Sequence, residues 1–132
     1  MRILGIDPGF GTLGWAVIEN GFSLAGCGAI VSRPNGDLPD RLLVIYRELE
    51  GILGRYEPSV LAMERLYFAK NSTTALDVGK CIGVVLLCAA MKNLPCFEYT
   101  PLQVKRAVTG YGKATKRQMQ IMAGRLYGMK NP

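Results

Sequence analysis

The chain contains no histidine. That excludes imidazole general-base catalysis, histidine-bearing zinc sites and any Ser-His-Asp triad built within it. Its four cysteines, Cys27, Cys81, Cys88 and Cys96, form no Cys-x-x-Cys pair. A cysteine-only zinc site is therefore not expected, and at 132 residues no disulfide scaffold is needed. Cys81 and Cys88 fall seven apart in an apolar helical pattern, which predicts buried free thiols in a reducing, cytoplasmic setting. No apolar run is long enough to cross a membrane, and the opening MRILGIDPGFG lacks the apolar core and cleavage pattern of a signal peptide. There is no GxxxxGK[ST] phosphate loop, no internal repeat and no low-complexity stretch. One absence is local: no Asp or Glu follows Glu98.

What is present is one domain's worth of apolar-rich chain. Hydrophobic residues make up 49% and charged residues 20%, which excludes a disordered tail or a fibre. The net charge of +6 is unevenly placed. Residues 1–100 carry nine basic and ten acidic side chains, whereas residues 101–132 carry seven basic and none acidic. The basic side chains cluster around Gly110-Tyr111-Gly112 and a helix start, a pattern that suits a phosphate-bearing partner. A merely solvated basic end is the plainer alternative.

Periodicity orders the elements. Residues 2–6 read as a buried strand that stops at Asp7-Pro8-Gly9. Residues 13–19 and 24–31 read as two further strands split by Asn20-Gly21, a hairpin signal. Leu42, Ile45, Leu49, Ile52, Leu53 and Tyr56 recur at helical spacing over 38–56, before Pro58 prevents continuation. Residues 59–63 form a short apolar strand running into Glu64; a loop over 65–71 follows. A long helix over 72–91, capped by Asn71 or Ser72, carries Gly79 and Gly83. A strand over 96–99 precedes a short helix from Pro101 to about Val108, and Thr115 caps a last helix with Met119, Met122 and Leu126 on one face. A hairpin followed by βαβ crossovers predicts an α/β fold: a mixed sheet with helices on both faces.

In such sheets sites gather at the carboxyl ends of parallel strands. Asp7 and Glu64 both stand there, and they meet if their strands are neighbours. Two facing carboxylates repel unless a cation sits between them. Without imidazole or thiolate ligands the fitting cations are hard ones, Mg²⁺ or Mn²⁺. Beside a basic patch, that implies phosphodiester chemistry on nucleic acid. Taken singly, Asp before Pro-Gly is a turn former and Glu64 a surface acid. A glycosidase carboxylate pair would call for aromatic sugar platforms, and the chain has one Trp, Trp15, inside a strand. The Gly9-Phe10-Gly11 opening is shared with sugar-kinase and actin-like ATPases, which are far longer.

The residues as a set resemble the RuvC family of bacterial Holliday-junction resolvases, over nearly the whole chain. The resemblance is carried by Ile3-Leu4-Gly5-Ile6-Asp7-Pro8-Gly9, by Leu38-Pro39 with Arg41-Leu42, and by Met63-Glu64-Arg65-Leu66-Tyr67-Phe68-Ala69-Lys70-Asn71. It continues through Leu94-Pro95-Cys96-Phe97-Glu98-Tyr99, Val104-Lys105 and Gly110-Tyr111-Gly112-Lys113-Ala114-Thr115-Lys116. The resemblance implies a ribonuclease-H-like fold and a homodimer that nicks four-way DNA junctions with Mg²⁺, Mn²⁺ substituting, at two ions per site in the complete protein. It implies Asp7 and Glu64 as two of four catalytic, metal-binding acids, and Tyr67, Lys105 and Lys116 as DNA contacts; Lys70, Lys113 and Arg117 join them as candidate DNA contacts on their charge, with a helix cap or plain surface charge as the alternative. Gly79–Gly83 would belong to the dimer interface, and the branch-migration proteins RuvA and RuvB would be partners. The family's other two acids lie in a C-terminal acidic helix, and this sequence stops at Asn131-Pro132 before such a segment. Residues 1–132 are thus expected to be a single nuclease domain truncated at its C-terminus. The chain as written is expected to hold metal weakly and cut poorly, while a longer parent is active. A non-catalytic nucleic-acid-binding module on the same fold is the alternative.

Overall fold

The structure is a computed structural model of the chain, and it describes residues 1–9, 11–21, 23–32, 36–65 and 73–127. Nine elements follow in order: β1 (Arg2–Asp7), β2 (Thr12–Glu19), β3 (Ser23–Val31), α1 (Leu38–Tyr56), β4 (Val60–Glu64), α2 (Thr73–Met91), β5 (Cys96–Tyr99), α3 (Pro101–Thr109) and α4 (Lys116–Tyr127). The strands form one mixed sheet in the order β3-β2-β1-β4-β5. β1 and β2 are antiparallel, as are β2 and β3; β4 runs parallel to both β1 and β5. This is the expected hairpin-plus-crossover architecture, with strand ends moved by about one residue.

Local chemistry explains the boundaries. Asn20 and Gly21 take φ values of 51° and 96°, the pair of positive angles that a tight right-twisted hairpin requires. α1 begins at Leu38-Pro39, where proline costs no helical hydrogen bond. It ends at Glu57, whose left-handed backbone lets its N–H donate to the Leu53 carbonyl at 3.0 Å. α3 opens with a reciprocal cap: Gln103 N–H donates to Thr100 Oγ1 at 3.1 Å, and Thr100 N–H donates to Gln103 Oε1 at 2.8 Å. Thr115 and Gln118 repeat the device at α4 with the same two lengths. The expected caps of α2, Asn71 and Ser72, lie outside the described residues.

The strand alternation divides the sheet into two different faces. Leu4, Ile6, Leu13, Val17, Leu61 and Met63 point to one side and are buried there against α1 and α2. α1 supplies Ile45, Leu49 and Leu53; α2 supplies Cys81, Val85 and Cys88, so the two thiols are core groups as expected. Burial is the main cause that raises the pKa of both thiols, with the charge of Asp77 adding to it at Cys81 and that of Glu50 at Cys88, which keeps them protonated. The alternate positions, Gly5, Asp7, Gly14, Ala16, Ala62 and Glu64, point to the other face, which α3 and α4 flank through Val104 and Ala123. Large side chains therefore build the core on one side, and small ones leave room on the other.

Candidate metal and nucleic-acid site

The second face holds a cleft of about 730 Å³ at the carboxyl ends of β1 and β4. The parallel register pairs Ile6 with Met63, so Asp7 and Glu64 follow as the next step on adjacent strands, on the same face. Neighbouring strands run about 4.8 Å apart, which brings the two side chains within mutual reach. Both line the cleft, and Tyr99, in register with Glu64 across β5, closes its far side. Small residues, Gly5 on β1 and Ala62 on β4 beneath them and Gly14 on β2 directly across from Asp7, keep the floor low.

The turn after Asp7 is fixed by close approach. A Cβ at Gly9 would lie 2.6 Å from the Thr12 carbonyl oxygen, so only glycine fits there. The Asp-Pro-Gly turn and the site are thus compatible: the turn presents the last residue of β1 at the sheet edge.

The electrostatics are those of a site that wants a cation. Desolvation is the main cause that lifts the Asp7 carboxyl above its ordinary pKa, and the Lys116 ammonium pulls it part of the way back. Asp7 as a residue nevertheless keeps an exposed surface, so the dehydration is partial. The Glu64 carboxyl is also raised, first by desolvation and then by the negative charge of Asp7, with Lys105 opposing. The two acids therefore feel each other, and each has one lysine from the α3–α4 region as its counter-charge. Among the described residues neither carboxylate is tied into an ion pair within 4.0 Å. The ion pairs in the described residues lie elsewhere; Arg65 Nε, for example, meets Glu98 Oε2 at 2.9 Å.

Two hard oxygen donors, partly dehydrated and disfavoured as a bare pair, match the donor preference of Mg²⁺ or Mn²⁺. Among the described residues no group of three or more acidic or thiol side chains gathers around a common point, so the pair stands by itself. Mg²⁺ in phosphate-handling sites is commonly held by one or two carboxylates plus water and substrate oxygens, so a pair is a workable donor set.

The other sequence candidates fall in three groups. Lys105, on α3, and Lys116, at the start of α4, lie near the acids. Lys113 and Arg117 are exposed on the loop before α4 and in its first turn. Tyr67 and Lys70 lie outside the described residues. Tyr99 is a site-lining residue that sequence reading passed over. Its signal was available: it ends a strand, as Asp7 and Glu64 do.

Comparison with known proteins supplies the context for this geometry. The family model for crossover junction endodeoxyribonuclease RuvC matches residues 3–132. A protein described as crossover junction endodeoxyribonuclease RuvC from Pseudothermotoga lettingae is 45% identical over 133 residues, covering 98% of this chain and 82% of its own length. The protein of the same description from Petrotoga mobilis is 49% identical, covering 91% and 76% respectively. Among solved structures, Thermus thermophilus RuvC in complex with Holliday junction substrate superposes with a TM-score of 0.91 at 30% identity, over 100% of this chain and 83% of that one. The yeast mitochondrial Holliday junction resolvase shares the fold, with a TM-score of 0.63 at 18% identity. A match that runs from β1 through α4, at these identities, shows that the chain belongs to the crossover junction endodeoxyribonuclease RuvC family.

Proposed function

We propose that this protein is a metal-dependent, structure-specific endonuclease that resolves Holliday junctions by phosphodiester hydrolysis. The observation that carries the reading is the pairing of Asp7 and Glu64 at the ends of adjacent parallel strands, each faced by a lysine. These two carboxylates would hold a hard divalent cation, Mg²⁺ with Mn²⁺ able to replace it, and the family pattern favours two ions per site. When bound, such ions supply an activated water and charge stabilisation at the departing 3′ oxygen.

The remaining roles belong to the chain itself. Asp7 and Glu64 keep the ion site at the floor of the cleft. Lys105 and Lys116 stand beside those carboxylates, favour their ionised forms and offer positive charge to a phosphate arriving between α3 and α4. Lys113 and Arg117 extend the same positive rim. Tyr67 and Lys70 are proposed DNA contacts too: the ring would stack on a base and the ammonium would meet backbone phosphate. None of these basic contacts reads sequence, so junction selectivity comes from shape.

Shape selection over a four-way junction calls for two symmetric copies, and α2 offers a surface for them. Its outer face presents Leu76 and Leu87, 63% and 57% exposed, with Gly79 and Gly83 between them, where a Cβ would meet nothing within 4 Å among the described residues. An apolar stripe with two small residues lets a second backbone approach closely, which supports a homodimer through this helix. RuvA and RuvB are the proposed branch-migration partners, and the bacterial cytoplasm, where chromosomal DNA lies, the proposed compartment. Among the described residues no helix is long and apolar enough to cross a membrane.

The test is Asp7→Asn in the full-length gene product, on synthetic four-way junctions with linear duplex as control. Cleavage in Mg²⁺ should fall by about two to three orders of magnitude, the loss expected when a principal charge-stabilising group is removed. Junction binding should stay within about threefold, since the lysines supply it. A variant that still cut at the normal rate would remove Asp7 from the site.

A further inference from the structure

We infer that Arg41 is a positioning residue that holds the Asp7 turn in the geometry the ion site needs; the inference rests on the nuclease reading above. Arg41 sits in the first turn of α1 and heads the row Arg41, Ile45, Leu49, Leu53, which faces the core. The other three are aliphatic. Arg41 is only 7% exposed, a depth that arginine reaches when its guanidinium has specific partners. An aliphatic side chain would continue the row at lower desolvation cost, so stability alone does not explain a cation here.

The contacts of its guanidinium explain it. Arg41 Nε donates to Ser32 Oγ at 3.1 Å, and Ser32 is itself 3% exposed. The Ser32 N–H donates in turn to the Gly11 carbonyl at 3.0 Å. A Cβ built on Gly11 would lie 3.9 Å from Arg41 Nη2, so the guanidinium also lies beside the turn. Gly11 has φ +82°, the left-handed region, and sits four residues after Asp7 in the connection between β1 and β2. The same cation is felt by Cys81 on α2, the helix that follows the Glu64 strand. One buried guanidinium thus joins the start of α1, the residue after β3 and the Asp7 turn. Pre-set geometry of this kind is what an ion site needs from its surroundings, because loosening the support of a ligand weakens metal binding without touching the ligand.

The experiment compares Arg41→Met, Arg41→Lys and Ser32→Ala with wild type in the full-length gene product. Thermal melting checks folding, calorimetric Mn²⁺ titration gives ion affinity, and junction binding and cleavage are measured separately. Arg41→Met should weaken Mn²⁺ binding and slow cleavage by about tenfold or more, with junction affinity within about twofold of wild type. Ser32→Ala should show a smaller loss with the same pattern, and Arg41→Lys should recover part of it. Folded Arg41→Met with wild-type Mn²⁺ affinity overturns the inference. So does a loss of junction affinity as large as the loss of rate. If Arg41→Met does not fold, Ser32→Ala decides, and unchanged Mn²⁺ affinity there overturns it. Asp7→Asn is run alongside. Wild-type ion binding and cutting by that variant defeats the nuclease reading itself, whereas an inactive Asp7→Asn beside a normal Arg41→Met defeats only the role of Arg41.

Discussion

The Asp7 and Glu64 side chains cost the ion-free fold something. Both carboxyls have pKa values raised above their ordinary positions, 3.8 and 4.5, with desolvation as the first cause. A raised carboxyl pKa means that the folded state binds protons more tightly than the unfolded chain. Stability from these groups is therefore full at acid pH, and it declines as pH rises through the folded values. Above the folded values the ion-free protein carries two charged groups whose ionised forms burial disfavours. Asp7→Asn and Glu64→Gln should accordingly raise the melting temperature in chelator at pH 7, by a few degrees at most because Asp7 keeps solvent access. The gain should shrink toward pH 4, where the wild-type carboxyls take up protons, and Mn²⁺ should stabilise the wild type alone. Melting curves in chelator at pH 4 and pH 7 check this; a destabilised Asp7→Asn at pH 7 would show that Asp7 serves the fold instead. These residues were legible in the sequence because each ends an apolar run with a carboxylate. Arg41 was not legible as a buried group, since a charged residue at the head of an amphipathic helix ordinarily reads as solvent-facing and the row it joins becomes visible only with the sheet beneath it.

The elements were the most legible level, and the reason differs from one to the next. The β2–β3 hairpin followed from Asn20-Gly21, because few residue pairs accept two positive φ angles. α1 followed from its 3.6-residue apolar row and from Pro58. The caps of α3 and α4 were only half legible: Thr115 declared itself, whereas the Gln103 and Gln118 partners need the folded first turn to reach back. α2 is apolar over most of its circumference, so periodicity alone does not say which side is core. The structure resolves it: Val78, Cys81, Val85, Cys88 and Ala89 are buried, while Leu76, Gly79, Gly83 and Leu87 face outward. Gly83→Leu separates a dimer role from a folding role, because a Cβ there meets nothing within 4 Å among the described residues. Replacing the helix glycine should stabilise the protomer by up to about 1 kcal/mol through helix propensity. The added bulk should also weaken self-association by at least about tenfold, as overpacking does at a close contact. Sedimentation equilibrium and melting of the same sample read both; an unchanged dimer would remove α2 from the interface.

On the scale of the whole molecule, the sheet separates the labour of stability from that of chemistry. One face is filled with Leu, Ile, Val and Met against α1 and α2. The other is lined by glycine and alanine around two acids and flanked by the basic C-terminal quarter. The charge asymmetry, visible in the sequence, becomes a spatial one: the charges of Lys105 and Lys116 act on the acids although some forty to over a hundred positions separate them along the chain. The cleft itself was not legible, since small residues scattered over β1, β2 and β4 form a common floor only in the strand order β2-β1-β4. The curated relatives from Pseudothermotoga lettingae and Petrotoga mobilis extend beyond the matched region, with 82% and 76% of their lengths covered. Among the described residues, Asp7 and Glu64 are the two acids that line the cleft.

The most direct measurement is calorimetric titration of Mn²⁺ into this chain and its Asp7→Asn/Glu64→Gln double variant, in two buffers of different ionisation enthalpy at a series of acid pH values. The unsubstituted chain should bind saturably and release protons, because the raised carboxyls must ionise to hold the ion. The double variant should show neither heat nor proton release. Equal binding by both proteins would place the ion elsewhere and end the case for a metal site at the paired strand ends.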